Sequence, residues 1–157
     1  MKKLILLILL TINIYAIDTS MVVGKWHTTA TIQNQNSTTV EKEYLNLRAN
    51  HTFTITLLVS VQAKDAYIKD LRIEASGGYK VYDNLIIAVV KRVNVPSALD
   101  VKNISQNSLN AIADKFKARF DGEPILVTKV TNITATQMST VSENGASRVY
   151  IKIDDKG

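Results

Sequence analysis

Eight stretches of this 157-residue chain alternate apolar and polar side chains with a period of two and are rich in β-branched residues. They cover 22–32, 40–48, 53–62, 67–82, 85–95, 125–132, 135–142 and 146–153, the pattern of strands with one face buried and one face wet. The two prolines respect these limits: Pro96 follows the fifth stretch and Pro124 precedes the sixth, where a missing N–H harms no ladder. Gly77-Gly78 lies inside the fourth stretch, yet Ile73, Ala75, Tyr79 and Val81 keep one phase across it, so the pair predicts a bulge and not a turn. Strands this continuous, joined by short links, predict a mainly β fold, an eight-stranded antiparallel up-and-down barrel.

The fifth stretch, NLIIAVVKRVNV at 84–95, breaks the alternation. Leu85, Ile87 and Val89 point to one side and Ile86, Ala88 and Val90 to the other, so both faces need cover. SQNSLNAIADKFKARF, 105–120, has the helical period that could supply it: Leu109, Ile112, Ala113, Phe116 and Phe120 recur at spacings of three and four. Ser105 stands as N-cap, Gly122 follows the last turn, and Asp114, Lys115, Lys117 and Arg119 mark the wet face. One helix is therefore expected between strands five and six, lying on the outer side of strand five over Ile87 and Val89.

Turn chemistry sets the inward side chains. A turn at Asp83-Asn84 pairs Val81 with Ile86 and Tyr79 with Ala88; the loop around Asn50 sets Leu47 beside Phe53 and Leu45 beside Ile55. Asn144-Gly145 predicts a two-residue hairpin that pairs Thr140 with Val149, Met138 with Ile151 and Thr136 with Ile153. Each hairpin yields one coherent apolar face.

Ahead of the strands stands MKKLILLILLTINIYA. Two lysines, an apolar run broken only by Thr11 and a small residue, Ala16, make the three-part layout of a bacterial export signal. The run is far shorter than the ~20 residues of a membrane span. Residues 1–16 are expected to leave as a signal peptide and 17–157 to form the barrel domain, placed in the periplasm or, as the second choice, secreted, with no stable membrane insertion. Without cysteine the domain has no disulfide and no lipidated cysteine, so packing must hold it. Loss of Lys2 and Lys3 lowers the formal charge from +5 to +3. The remaining basic residues are scattered among acids, without a basic stripe, which argues against nucleic acid as a partner.

Gly24-Lys25-Trp26 on the first strand, LNLRANHTFTI, SGGYKVYDNLII and a closing meander with ENG together resemble the lipocalin-like domains of the calycin group, from about residue 22 to 153. The resemblance implies a tryptophan, Trp26, closing the narrow end of the barrel. It also implies a last-strand arginine packed over that tryptophan; here the last strand offers Arg148, expected to face outward, and Lys152, nearer to Trp26. The family places its helix after the eighth strand, unlike this chain. The interior is then expected to hold a small apolar or amphiphilic molecule, such as a fatty acid, entering opposite Trp26. Ligand contacts are expected from Trp26, Leu47, Phe53, Ile55, Tyr67, Lys69, Leu71, Tyr79, Ala88, Arg92, Met138 and Ile151. Leu45, Leu57, Ile73, Val81, Ile86 and Val149 complete the inward set. Lys69 interrupts that inward phase near the open end, where a ligand carboxylate or phosphate would pair with it; the alternative is an ammonium snorkelling at the rim into water. Arg92 shares its phase and both readings.

Catalysis finds no constellation. His27 faces outward and His51 sits in a turn, neither at metal-ligand spacing, and Ser76 in EASGG lacks a nucleophile elbow. Asp70, Arg72 and Glu74 alternate on one outer face, as mutually paired charges do. The chain is expected to be no enzyme, with no cofactor and no metal. The alternative to a ligand-binding barrel is an envelope interaction or assembly module whose barrel is filled by side chains; the sequence names no protein partner.

Overall fold

Successive strands pair as their turns dictate, and one further pairing closes the circle. The computed structural model describes residues 16–96, 98–122 and 125–154. Along them run α1 (Thr19–Val22), β1 (Gly24–Gln33), β2 (Ser37–Leu47), β3 (Thr52–Ala63), β4 (Tyr67–Tyr82), β5 (Leu85–Asn94), β6 (Asp100–Lys102), α2 (Gln106–Gly122), β7 (Ile125–Ile133), β8 (Gln137–Ser142) and β9 (Ser147–Lys152). The sheet order is β3-β2-β1-β9-β8-β7-β5-β4, and β3 also pairs with β4, giving a closed antiparallel barrel of eight strands. Closure gives each of the eight barrel strands a ladder on both sides. β6 is an extra strand of three residues on the edge of β4, pairing Tyr67 with Lys102 and Lys69 with Asp100. The helix stands between the fifth and sixth barrel strands, where its period placed it. Apart from Ala16, the expected export signal lies outside the described residues, as do Pro124 and the side chains of Phe116 and Arg119. No helix among the described residues is long and apolar enough to cross a membrane.

Two of the three hairpin registers match their turns. Val81 faces Ile86 and Tyr79 faces Ala88; Leu47 faces Phe53 and Leu45 faces Ile55. These pairs form the narrow end, where Trp26, Leu47, Phe53, Tyr79, Ile86, Ala88 and Met138 pack into one buried cluster with Val22. Trp26 is fully buried, and its indole N–H donates to the Val22 carbonyl at 2.8 Å, so α1 seals this end. The Lys152 ammonium lies 5.0 Å from the centre of the Trp26 ring, making Lys152 the last-strand cation over the tryptophan.

Bulges correct three inward assignments, Arg92, Lys69 and Tyr67. At Gly77 the ladder with β5 slips: Val90 faces Gly77, Arg92 faces Ser76, and Lys91 is the extra residue. A Cβ on Gly77 would sit 1.9 Å from the Val89 carbonyl oxygen, so only glycine lets the strands meet there. The extra residue turns Arg92 outward, where it is exposed, and sends Val93 into the inward phase beside Ala75. Between β3 and β4 the ladder slips again, from Val59↔Leu71 to Val61↔Ile68. Asp70, at φ 50°, absorbs the slip and exchanges hydrogen bonds with Ser60. Ile68 is consequently buried, while Lys69 is turned outward and exposed, with Tyr67 in the same outward phase.

The helix covers a different face from the one expected. Ser105 caps it, its hydroxyl accepting from the Ser108 N–H at 3.1 Å. Leu109, Ile112 and Phe120 pack against Val59, Ile68, Leu71 and Ile73, which line the inward side of β3 and β4 at the wide end. On the outer face of β5, Leu85 and Ile87 are partly buried and Val89 is 43 % exposed. The cause lies in the ladder: β5 and β7 pair only between Leu85–Val89 and Ile125–Lys129, so beyond Val89 the wall parts and the helix turns toward the interior.

Candidate functional site

The third hairpin register creates a site where the sequence predicted an apolar wall. Gly145 adopts φ 80° and donates its N–H to the Ser142 carbonyl at 2.9 Å, while the Ser142 N–H donates to the Ala146 carbonyl at 3.0 Å. The loop is therefore three residues long, a type I turn closed by a left-handed glycine, instead of the expected two. One added residue shifts the register by one, so Met138 faces Tyr150 and Thr140 faces Arg148. Every side chain of β9 changes side. Val149 and Ile151, expected inside, lie outside at 48 % and 43 % exposure, and Arg148 and Tyr150 point in.

Inside, they meet Glu41 and Glu43 of β2, which share the inward phase of Leu45 and Leu47. Arg148 Nη2 donates to Glu41 Oε2 at 3.2 Å, and Nη1 lies 3.9 Å from Glu43 Oε2. The Tyr150 hydroxyl donates to Glu43 Oε1 at 2.7 Å. These contacts bridge the place where β1 and β9 part, since those strands share a ladder only at Trp26↔Lys152 and His27↔Ile151. Burial, reinforced by the Glu43 carboxylate, pushes the Tyr150 phenol far above its ordinary range. For Arg148, burial alone would lower the guanidinium, but Glu43 and the Glu41 hydrogen bond outweigh it and hold the group above its usual value. Arg148 Nη1 is buried with no hydrogen-bond partner among the described residues.

A cavity of about 440 Å³ opens beside this network. Its charged network is Glu41, Glu43, Arg148 and Tyr150; Leu57 is the cross-strand neighbour of Glu43, Ile55 stands beside it on β3, and Leu126 of β7 and Phe120 of α2 complete the apolar lining. Thr128, Thr140 and Ser142 join the walls, and Glu143, Asn144 and Ala146 of the β8–β9 turn form the rim. The volume falls within the ~300–1,000 Å³ usual for small-molecule pockets, and an apolar body facing a few fixed polar groups is their usual chemistry.

Of the side chains expected to contact a ligand, Ile55 lines this cavity. Leu71 lies beneath the helix. Trp26, Leu47, Phe53, Tyr79, Ala88 and Met138 fill the narrow end. Tyr67 and Lys69 line a separate groove of about 400 Å³ near the rim, beside Asp100. There the Tyr67 hydroxyl donates to Asp100 at 2.5 Å, a bond that raises the phenol above its ordinary value. Arg92 and Ile151 belong to the outer surface. Sequence reasoning missed Glu41, Glu43, Arg148 and Tyr150. The signal for the first two was present, because VEKEYLNL keeps Glu41 and Glu43 in phase with Leu45 and Leu47.

His27 stacks near Tyr44 at 6.4 Å between ring centres and His51 near Tyr79 at 5.8 Å, so each has an aromatic neighbour. Among the described residues no cluster of three or more histidine, aspartate or glutamate side chains could hold a metal. Compared with known proteins, the chain matches no family model and no curated protein.

Proposed function

We propose that this protein is an exported, lipocalin-like binding barrel that carries a small apolar or amphiphilic molecule and performs no chemistry on it. The cavity carries the reading: an apolar wall takes a hydrocarbon body and the Glu41–Arg148–Glu43–Tyr150 network meets a polar end. Gly24-Lys25-Trp26 opening the first strand, with a last-strand cation over Trp26, supports the lipocalin-like assignment. The leader-like first residues support a periplasmic or secreted location. Native mass spectrometry of protein purified from its own envelope tests the carrier reading without a guess at the ligand. A bound small amphiphile is the expected result; an empty protein that also ignores a panel of fatty acids, alcohols and amines would defeat it.

A second reading rests on a separate observation. The outward side chains of β5 and β7, Ile87 beside Val127 and Val89 beside Ile125, form an apolar strip with Val89 and Ile125 at 43 % and 54 % exposure. Such a strip suits an envelope interaction or assembly module. Loss of a concentration-dependent assembly in Val89→Lys/Ile125→Lys would favour this reading.

A further inference from the structure

The charge of the cavity wall discriminates among ligands. Among the described lining residues Glu41, Glu43 and Glu143 contribute carboxylates, and Arg148 is the one cation. Arg148 is already engaged by two of those carboxylates. A chain that is basic overall, at +5, thus encloses a wall of net negative formal charge. An anionic head placed here meets like charge in a partly desolvated site, with a single guanidinium whose field Glu41 and Glu43 have largely cancelled. An ammonium meets the reverse: its N–H groups can donate to the carboxylate oxygens that the network leaves open, since Arg148 and Tyr150 take only Glu41 Oε2 and Glu43 Oε1 as hydrogen-bond acceptors.

Resting on the carrier reading above, we infer that the barrel selects amphiphiles with a positively charged amine head, the ammonium against Glu41 and Glu43 and the alkyl chain along Ile55, Leu57 and Leu126. The fatty-acid expectation reverses because Glu41 and Glu43 of β2 face inward while Lys69 is turned outward. Had Val149 and Ile151 faced inward, Glu41 and Glu43 would have kept their place on β2 but lost Arg148 and Tyr150 as partners.

Dodecylamine, dodecanol and dodecanoate share one chain and differ in the head, so calorimetric titration of the full exported chain with each, below micellar concentrations and at neutral pH, isolates the head-group preference. The amine is expected to bind at least about tenfold tighter than the carboxylate, the scale of one charge-assisted hydrogen bond, with the alcohol between them. In Glu41→Gln/Glu143→Gln the preference should shrink toward parity and added salt should change it less. Glu143→Gln alone, on the exposed turn, gives a smaller shift in the same direction without touching the internal pairs. Carboxylate binding as tight as the amine's in the unaltered protein would overturn the inference and leave the carrier standing. Binding of none of the three would remove both.

Discussion

The two ends of the barrel are closed by different means. At the narrow end backbone ladders join every neighbouring pair of strands and Trp26, Leu47, Phe53 and Met138 are almost wholly buried. At the wide end β1 and β9 part after His27 and β5 and β7 part after Val89, and what spans the openings is side chains and a helix. Backbone hydrogen bonds fix distances to a few tenths of an ångström, whereas an Arg–Glu pair and a packed Phe120 tolerate rearrangement. The same strands therefore serve as scaffold below and as an adjustable site above, the division of labour expected where stability varies along a fold.

Cutting equivalent apolar bulk at each end gives the largest contrast. Trp26→Ala removes a fully buried ring with its hydrogen bond to Val22 and its contact with Lys152, and is expected to cost about 3–5 kcal/mol in urea unfolding. Phe120→Ala, half-buried over the cavity, should cost only about 1 kcal/mol while enlarging the pocket. Equal losses at the two sites would show that the helix is part of the central core and end the distinction.

The side-chain seam comes next. Arg148→Met leaves Glu41 and Glu43 facing one another without their cation; because the pair is partly solvated, the expected loss is about 1–2 kcal/mol, below the cost of breaking a fully buried pair. A double-mutant cycle with Glu41→Gln should return a coupling near 1 kcal/mol. A coupling near zero would mean that the backbone alone holds β1 and β9 in place.

Tyr150 ties the seam to pH. Its folded pKa is raised by burial and by Glu43, while an unfolded tyrosine titrates near pH 10. Above about pH 10 the unfolded chain releases a proton that the folded one retains, so stability present below that pH falls as pH rises, by up to about 1.4 kcal/mol per pH unit from this group. Tyr79, raised by burial, and Tyr67, raised by Asp100, act in the same direction. Tyr150→Phe should flatten the alkaline slope more than Tyr67→Phe does, as read from urea midpoints across that range.

The barrel was legible because its information is local. Alternation gave the strands, prolines their limits, and the turns at Asp83-Asn84 and Asn50 placed Val81 against Ile86 and Leu47 against Phe53. The site was less legible because three single-residue insertions decide it. Lys91 and Asp70 are bulge residues whose effect lies in the pairing with the neighbouring strand and not in the alternation of their own, and without them Arg92 and Lys69 read as inward. At the β8–β9 turn the difference between a two-residue and a three-residue loop is invisible in the letters ENG, since Asn-Gly serves both. The helix misled in the same way: its apolar face was evident, but which wall it met depended on where β5 and β7 separate.

That turn offers the smallest and most local test. Gly145 sits at φ 80° in open space, so a methyl group there meets no neighbour and the effect is conformational alone. Gly145→Ala should cost about 1 kcal/mol, the usual price of a left-handed conformation for an ordinary residue, and Gly145→Asn less, since asparagine visits that region readily. Both variants should keep Arg148 and Tyr150 inside, because the Glu41 and Glu43 pairs hold the register from the other side of the seam. Nuclear Overhauser contacts between Tyr150 and Met138 report it directly. If Gly145→Ala cost nothing and brought Ile151 into contact with Met138, the hairpin would have reverted to the two-residue turn, and the pairing of Arg148 and Tyr150 with Glu41 and Glu43 would depend on a single glycine.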